Sequence, residues 1–310
     1  MRWTALLAAA WLIWTPAIRA GRPQAPVISE TVAAQVMLDR AGFSPGEIDG
    51  QQGSNLKRAL EAFQAERGLM PSEAIDQPTW QRLQQDTGNQ PPLVTMTLTD
   101  TDVAGPFTPT IPADLMEQAK LSALGYRTAL EALAERVHAS PSLLTALNPG
   151  ATFTNAGESI LVPNVTTAAS SGTPPRVTVV VTKATSALTL VDDSHHVVFH
   201  APVTSGSEHD PLPIGTWKVN GVQQNPAFNY NPALFWDAHP AQSKAKIAAG
   251  PNNPVGTVWI DISKPHYGIH GTPEPSKVGH VESHGCVRLT NWDAQHVASL
   301  VKPGTTVIFK

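Results

Sequence analysis

The chain has 310 residues, more than the roughly 100–200 of one ordinary domain, so two or three domains are expected. Hydrophobic residues make up 41% and charged residues 15%, which argues against a disordered chain. The net charge of −4, without a basic stripe, argues against nucleic acid as a partner. A single cysteine excludes an intramolecular disulfide and a Cys-rich zinc module.

Residues 1–20 have the features of a secretory signal. Arg2 gives a basic start, an apolar run from Trp3 to Ala17 follows, and small residues stand near Ala20. The run is about 15 residues long, shorter than the roughly 20 that span a bilayer, so cleavage near Ala20 is favoured over an uncleaved anchor. We expect a periplasmic or cell-wall-associated protein with no membrane span after cleavage.

Residues 29–88 have the pattern of three short helices. Ser29, Ser54 and Asp76 are each placed to cap one of them. The second helix carries one apolar stripe, formed by Leu56, Ala59, Leu60 and Phe63. These residues predict a compact helical module.

Parts of this module resemble the peptidoglycan-binding domain 1 family. The similar segments are Leu38–Phe43, Gly46–Gly50, Ala59–Gln64 and the closing helix Asp76–Leu83. The resemblance implies docking on the cell wall. A helical spacer that has lost binding is the alternative.

Residues 89–115 are rich in Pro and Thr, show no apolar period and are predicted to be a linker. Residues 116–165 follow as a third unit, in which Ser142–Pro163 resembles the second half of a LysM domain. The resemblance implies an α/β segment that binds glycan, and a structural subdomain is the alternative. Residues 166–175 are predicted to be a second linker.

From residue 176 onward, the sequence predicts a mostly β domain, which makes the whole chain multidomain α+β. One helix is expected after a cap at Thr290 or Asn291. Strands are expected from alternating or continuous apolar residues. They fall near 177–181, 188–190, 197–199, 215–222, 255–262, 267–270 and 305–309.

Two histidine pairs with a spacing of four, His266 with His270 and His280 with His284, raise the question of a zinc site. Their surroundings have strand and turn character, and four residues along a strand span about 13 Å, too far for one ion. A metal is therefore not expected.

Cys286 is the better candidate for chemistry. A thiol nucleophile needs a base, backbone N–H groups directed at the developing oxyanion, and a small neighbour that leaves room for substrate. His270 can supply the base and Gly285 the small neighbour, while Arg288 offers paired donors for a substrate carboxylate. The residue types for acyl transfer through a thioester are all present.

His270-Gly271, followed by a loop and then the segment from Ser283 to Arg288, resembles the signature of the L,D-transpeptidase (YkuD-like) family. The resemblance extends over residues 176–310. It implies that Cys286 is the nucleophile, and that His270 exchanges the proton, oriented by the backbone carbonyl of Gly271. The other implied roles are a supporting one for His284, oxyanion donation by the N–H groups of Gly285 and Cys286, and substrate binding by Arg288, Tyr267 and Ser283.

The reaction implied by this resemblance is acyl transfer on peptidoglycan. A tetrapeptide stem would acylate the cysteine, D-alanine would leave, and an amine acceptor would complete a 3–3 crosslink without cofactor or metal. Water or a protein as acceptor, and a non-catalytic wall-binding protein, are the alternatives. The resemblance also implies acylation by carbapenems and resistance to penicillins.

The long stretch from Asn225 to Pro254 carries four aromatic residues, Phe228, Tyr230, Phe235 and Trp236. It is interpreted either as a lid over the substrate groove or as a loop held together by its own aromatic side chains.

Overall fold

The computed structural model describes residues 29–166 and 175–310. The predicted signal at residues 1–20 and most of the predicted second linker lie outside these residues. Within the described ranges, no helix has both the length and the apolar character needed to cross a membrane.

The first module consists of the three expected helices, α1 (Glu30–Arg40), α2 (Ser54–Glu66) and α3 (Gln77–Asp86). The side chains of Ser29 and Asp76 cap α1 and α3 as predicted, each accepting a backbone N–H three residues on. The predicted cap at Ser54 is wrong, because α2 begins at that residue and Gly53 precedes it without a side-chain cap.

The predicted linker at residues 89–115 is wrong over its middle part. This region contains the strand β1 (Leu93–Thr97) and the short helix α4 (Asp100–Ala104). β1 pairs in antiparallel fashion with β2 (Ser159–Pro163), more than 60 residues later in the chain. A strand whose partner is this distant leaves little local signal among Pro and Thr residues, so composition alone misidentified it.

Three further helices separate these two strands: α5 (Leu115–Gln118), α6 (Ala129–Arg136) and α7 (Pro141–Leu147). Helices α6 and α7 pack on the β1–β2 pair. Their core continues into the first module, because Val32, Val36 and Ile48 belong to the same buried cluster. The strands β1 and β2 and the helices between them, residues 93–163, form a second module. The first and second modules therefore share a hydrophobic core.

The C-terminal domain is mostly β, and the multidomain α+β prediction is confirmed. All seven expected strands and the helix α8 (Asn291–Leu300) are present, and Thr290 caps α8. Four short strands, at residues 204–205, 228–230, 245–247 and 287–288, were not predicted. In chain order the strands are β3 (Val177–Thr182), β4 (Ala187–Asp192), β5 (Val197–Pro202), β6 (Thr204–Ser205), β7 (Gly215–Gln224), β8 (Phe228–Tyr230), β9 (Ala245–Ile247), β10 (Val258–Ile262), β11 (Gly268–His270), β12 (Val287–Arg288) and β13 (Thr306–Phe309).

Nine of these strands form one sheet in the order β5-β4-β3-β13-β7-β10-β11-β12-β6. The long strand β7 joins its two halves, pairing β13 through residues 215–218 and β10 through residues 219–224. The pairs β13–β3 and β11–β12 are parallel, and the others are antiparallel. Helix α8 packs against β10 and β11 and closes the core on that side.

The first module covers the β5 edge of the sheet. The backbone N–H of Ser44 donates to the carbonyl of His200 at 2.8 Å, and the N–H of His200 donates to the carbonyl of Gly42 at 2.8 Å. The carboxylate of Glu66 accepts the N–H of Val197 at 3.0 Å. An open sheet edge exposes unpaired backbone N–H and carbonyl groups, and these contacts provide hydrogen-bond partners for some of them.

A buried polar cluster joins the first module, the second module and α8. Asp293 is 2% exposed and accepts hydrogen bonds from the hydroxyls of Thr290 at 2.7 Å and Ser44 at 3.1 Å. His138 pairs with the carboxylate of Asp39 at 3.0 Å. Burial, followed by the nearby charge of Asp39, raises the pKa of Asp293 to about 7.

We expect this cluster to make stability depend on pH. The folded state holds the Asp293 proton more tightly than the unfolded chain, so stability is lost as pH rises from about 4 to about 7. Asp293→Asn should therefore raise the melting temperature at pH 8 by more than at pH 5, as measured by calorimetry. Asp193→Asn, in an exposed turn, is the matched control, and equal shifts of the Asp293 variant at both pH values would contradict the prediction.

Candidate active site

The parallel pairing of β11 and β12 brings the predicted site residues together. Ile269 lies opposite Val287, and His270 lies opposite Arg288. Ile269 and Val287 are fully buried in the core. Because side chains alternate along a strand, His270 and Arg288 lie on the other face, and Cys286, two residues before Arg288, shares it.

His270 is buried and held in one orientation. Its Nδ1 lies 2.6 Å from the carbonyl oxygen of Gly271, and since a carbonyl only accepts, Nδ1 carries the proton. The Trp259 ring stacks on the imidazole with centroids 5.4 Å apart. Burial, reinforced by the charge of Arg288, lowers the pKa of His270 to about 3. The imidazole is therefore neutral near pH 7, and its Nε2 is left as a proton acceptor.

Cys286 is a free thiol that immediately precedes β12, the strand paired with the strand of His270. Burial raises its pKa, and the charge of Asp210 acts in the same direction. A backbone hydrogen bond from Gly268 and the charge of Arg288 act against this rise. The resting site therefore contains a neutral thiol and a neutral imidazole, and the thiolate must form by proton transfer during the reaction.

Gly285 occupies a position that only glycine fits. Its φ is +96°, and a Cβ there would lie 2.6 Å from Cε1 of Tyr267. The Tyr267 ring thus packs directly against the backbone before the nucleophile. Burial raises the pKa of Tyr267, with smaller contributions from the charges of Asp210 and Cys286.

Ser283 does not face a substrate groove. It is 4% exposed, its hydroxyl donates to the carbonyl of Cys286 at 2.7 Å, and it accepts the N–H of Gly206 at 2.7 Å. The predicted substrate-binding role is unsupported, because both contacts are to buried backbone. Ser283 instead holds the nucleophile loop against the start of the connection after β6.

His284 lies at the outer rim of the site. Its Nε2 is 2.9 Å from the carboxylate of Asp237, and the Phe235 ring meets it edge-on at 5.2 Å. Both partners belong to the stretch from Asn225 to Pro254. The sequence left two interpretations of this stretch, a lid over the substrate groove or a loop held together by its own aromatic side chains. Its aromatic side chains do pack on one another, and Phe235 and Asp237 also contact His284, two residues before Cys286.

Arg288 offers an unused donor. Its Nε is buried and has no hydrogen-bond partner among the residues that the structure describes. Burial lowers the pKa of the guanidinium, and the charges of Cys286 and Glu274 oppose that effect. A buried guanidinium with a free donor suits an anionic group of a bound molecule.

Asn291 is a structural residue of the site that the sequence suggested only as a helix cap. Its Oδ1 accepts the N–H of Thr257 at 3.1 Å, and its Nδ2 donates to Glu135 at 2.9 Å. A Cβ on Gly271 would lie 2.2 Å from Oδ1. The amide therefore fixes the backbone whose carbonyl orients His270. Trp259, Asp210 and Asp237 were also missed, since nothing local marks them.

Within residues 29–166 and 175–310, no group of three or more His, Cys, Asp or Glu side chains is arranged to hold a metal ion.

Comparison with known families agrees with this geometry. Residues 176–309 match the family model of the L,D-transpeptidase catalytic domain, and residues 29–83 match that of a putative peptidoglycan-binding domain. The match to the catalytic family lies in the C-terminal β domain, which carries His270 and Cys286. Both predicted resemblances are thereby confirmed, and neither matched range includes the LysM-like segment.

Relatives with similar sequences are named L,D-transpeptidases. The putative L,D-transpeptidase YkuD of Bacillus licheniformis is 49% identical over 57 residues, which are 18% of this chain and 34% of that protein. The probable L,D-transpeptidase YbiS of Escherichia coli is 28% identical over 180 residues, 57% of this chain and 56% of that protein. The chain thus spans about a third to just over half of these relatives' lengths.

Arg288 provides a test of the electrostatics. Because its charge lowers the pKa values of both Cys286 and His270, Arg288→Gln should raise both. Alkylation of Cys286 by iodoacetamide should then require a higher pH, and the His270 titration followed by NMR should move upward. Lys264→Gln, which removes a cation lying over the rings of Trp217 and Tyr267, is the control. Unchanged profiles in Arg288→Gln would contradict the assignment.

Proposed function

We propose that this protein is an exported cysteine L,D-transpeptidase that acts on peptidoglycan tetrapeptide stems. The observation that carries the proposal is the placement of a neutral His270, Cys286 and Arg288 on one face of the β11–β12 pair, within a domain that matches the L,D-transpeptidase catalytic family. Its setting would be the periplasm or the cell wall, in line with the putative peptidoglycan-binding domain at residues 29–83.

In the first half-reaction, Cys286 attacks the carbonyl of the L-centre at the third residue of the stem. His270 takes the thiol proton on Nε2 and passes it to the leaving amine of D-alanine. The fixed bond from Nδ1 to Gly271 supports this role, because it keeps the acceptor nitrogen free. The N–H groups of Gly285 and Cys286 are the proposed oxyanion donors.

In the second half-reaction, an amine acceptor attacks the thioester and a 3–3 crosslink forms. His270 removes a proton from the attacking nitrogen and returns it to the sulfur. Arg288 is proposed to hold a carboxylate of the donor stem, which its unpartnered Nε supports. Tyr267 forms one wall beside the nucleophile.

The helical module and the LysM-like segment are proposed to keep the enzyme on its polymer. Binding of a domain to an insoluble substrate raises the effective concentration of that substrate at the catalytic site. The β1–β2 pair with helices between its strands gives the second module an α/β core, which supports a LysM-like assignment.

The acceptor distinguishes this proposal from its alternatives. Water would make the protein an L,D-carboxypeptidase, and a protein amine would make it a ligase of proteins to the wall. A non-catalytic wall-binding protein is disfavoured because both His270 and Cys286 are present, and the β11–β12 pair sets His270 opposite Arg288, two residues after Cys286.

Mass spectrometry of purified tetrapeptide muropeptides after incubation with the protein tests the proposal. We expect dimers lacking one D-alanine, and none with Cys286→Ala, because no thioester can form. His270→Gln should lower the rate by about 100-fold or more, the usual contribution of a positioned acid–base group. Tripeptide monomers alone would assign a carboxypeptidase, and no product from folded protein would contradict catalysis.

Acylation by a carbapenem provides an independent readout of the nucleophile. We expect the intact mass to increase by one adduct that maps to Cys286, and no adduct on the Cys286→Ala variant. Benzylpenicillin serves as the control ligand and should leave the mass unchanged. An adduct absent from Cys286 in folded wild-type protein would contradict the assignment of the nucleophile.

A further inference from the structure

The connection between β6 and β7 brings an acidic residue to the active site. β6 pairs with β12, so the connection begins beside the nucleophile strand. Gly206 is fixed there by two hydrogen bonds with Ser283, at 2.7 and 3.1 Å. A tight turn follows, in which Asp210 and Ser207 exchange two hydrogen bonds. The backbone of Asp210 is thereby anchored to the loop that carries Cys286.

One carboxylate oxygen of Asp210 has no partner. Oδ2 is buried and accepts no hydrogen bond from any residue in the described part of the chain. The residue as a whole stays half-exposed, so the carboxylate is only partly withdrawn from solvent. A buried acceptor left without a donor is costly, and in native proteins such groups often have a functional reason.

Asp210 also lies within electrostatic range of the reacting groups. Its charge contributes to the raised pKa values of both Cys286 and Tyr267. Arg288 acts on the same thiol with the opposite sign. Two groups that each have an unpartnered buried atom in the described part of the chain thus act on the nucleophile with charges of opposite sign. A carboxylate that raises the pKa of the nucleophile hinders the first half-reaction, so its benefit must lie elsewhere.

We propose that Asp210 binds the cationic amine of the acceptor and receives the first proton that it loses. This inference rests on the proposed function and names the residue that selects an amine over water. The ammonium R–NH₃⁺ gives one proton to Asp210, which releases it to solvent, and becomes a nucleophilic amine. The amine nitrogen forms a bond to the thioester carbon, and the carbon–sulfur bond breaks. His270 carries the second proton from that nitrogen to the sulfur, so the products are an amide and the free thiol.

Removal of the Asp210 charge is predicted to have opposite effects on the two half-reactions. Asp210→Asn removes a charge that disfavours the thiolate, so acylation of Cys286, followed as the burst of D-alanine, should become faster. It also removes the partner of the ammonium, so the ratio of crosslinked dimer to tripeptide should fall by about 10-fold to 100-fold, as expected for the loss of a charge-assisted hydrogen bond. Hydroxylamine, which is uncharged near neutral pH, should intercept the thioester equally in both proteins.

Glu208→Gln is the matched control, since this carboxylate is exposed and lies two residues away in the same turn. It should leave both half-reactions at their wild-type values. Asp210→Glu should restore part of the dimer yield. An unchanged ratio of dimer to tripeptide in Asp210→Asn would overturn the inference, as would a parallel loss of acylation and crosslinking, which indicates a structural role only.

The same assays separate this inference from the proposed function. Dimers formed equally by wild-type protein and Asp210→Asn would overturn the role of Asp210 and leave transpeptidation standing. Wild-type protein that releases D-alanine but forms no dimers would overturn amine transfer, and the role of Asp210 with it.

Discussion

The register between two very short strands determines the active site. β11 has three residues and β12 has two, too few for backbone hydrogen bonds alone to fix their alignment. A slip of one residue would turn His270 toward the core and Ile269 outward. Ser283 resists this slip through its bonds to Cys286 and Gly206, and the buried amide of Asn291 crowds Gly271 on the other side. The chemistry depends on these neighbours as much as on the residues that react.

Burial explains why the site rests in an uncharged state. Desolvation disfavours both the thiolate of Cys286 and the imidazolium of His270, so the pair holds its proton on sulfur until a substrate arrives. The charges of Arg288 and Asp210 act on the thiol, and each of these two residues has a buried polar atom without a hydrogen-bond partner in residues 29–166 and 175–310. A bound stem that brings a carboxylate and an ammonium would supply the missing partners. Because these groups are already in place, little reorganisation energy is needed when the reaction begins.

The sequence predicted what depends on local pattern. The seven β strands with alternating or continuous apolar residues and the three helices of the first module follow from short segments. The pairing of His270 with the carbonyl of Gly271 was implied by the resemblance to the L,D-transpeptidase family. The strand β1 was missed because its partner β2 lies far along the chain. The site roles of Asp210 and Asn291 were missed because only the fold lets the charge of Asp210 act on Cys286 and sets Asn291 against Gly271. Ser283 shows the reverse case: its motif position suggested substrate contact, whereas its burial gives it a structural role.

The arrangement of the modules adds a constraint that no motif contained. In α2, Asn55 donates to the carbonyl of Val278 at 2.9 Å, within the loop that separates His270 from Cys286. Residues of the second module, among them Leu124, form a buried cluster with Tyr230 and Ile247 of the stretch that reaches His284. Both N-terminal modules therefore support the walls of the catalytic site. These contacts hold the modules against the catalytic domain. A module that is held in this way and binds the wall polymer would restrict the orientation of the catalytic site relative to the polymer. This restriction adds to the gain in local substrate concentration.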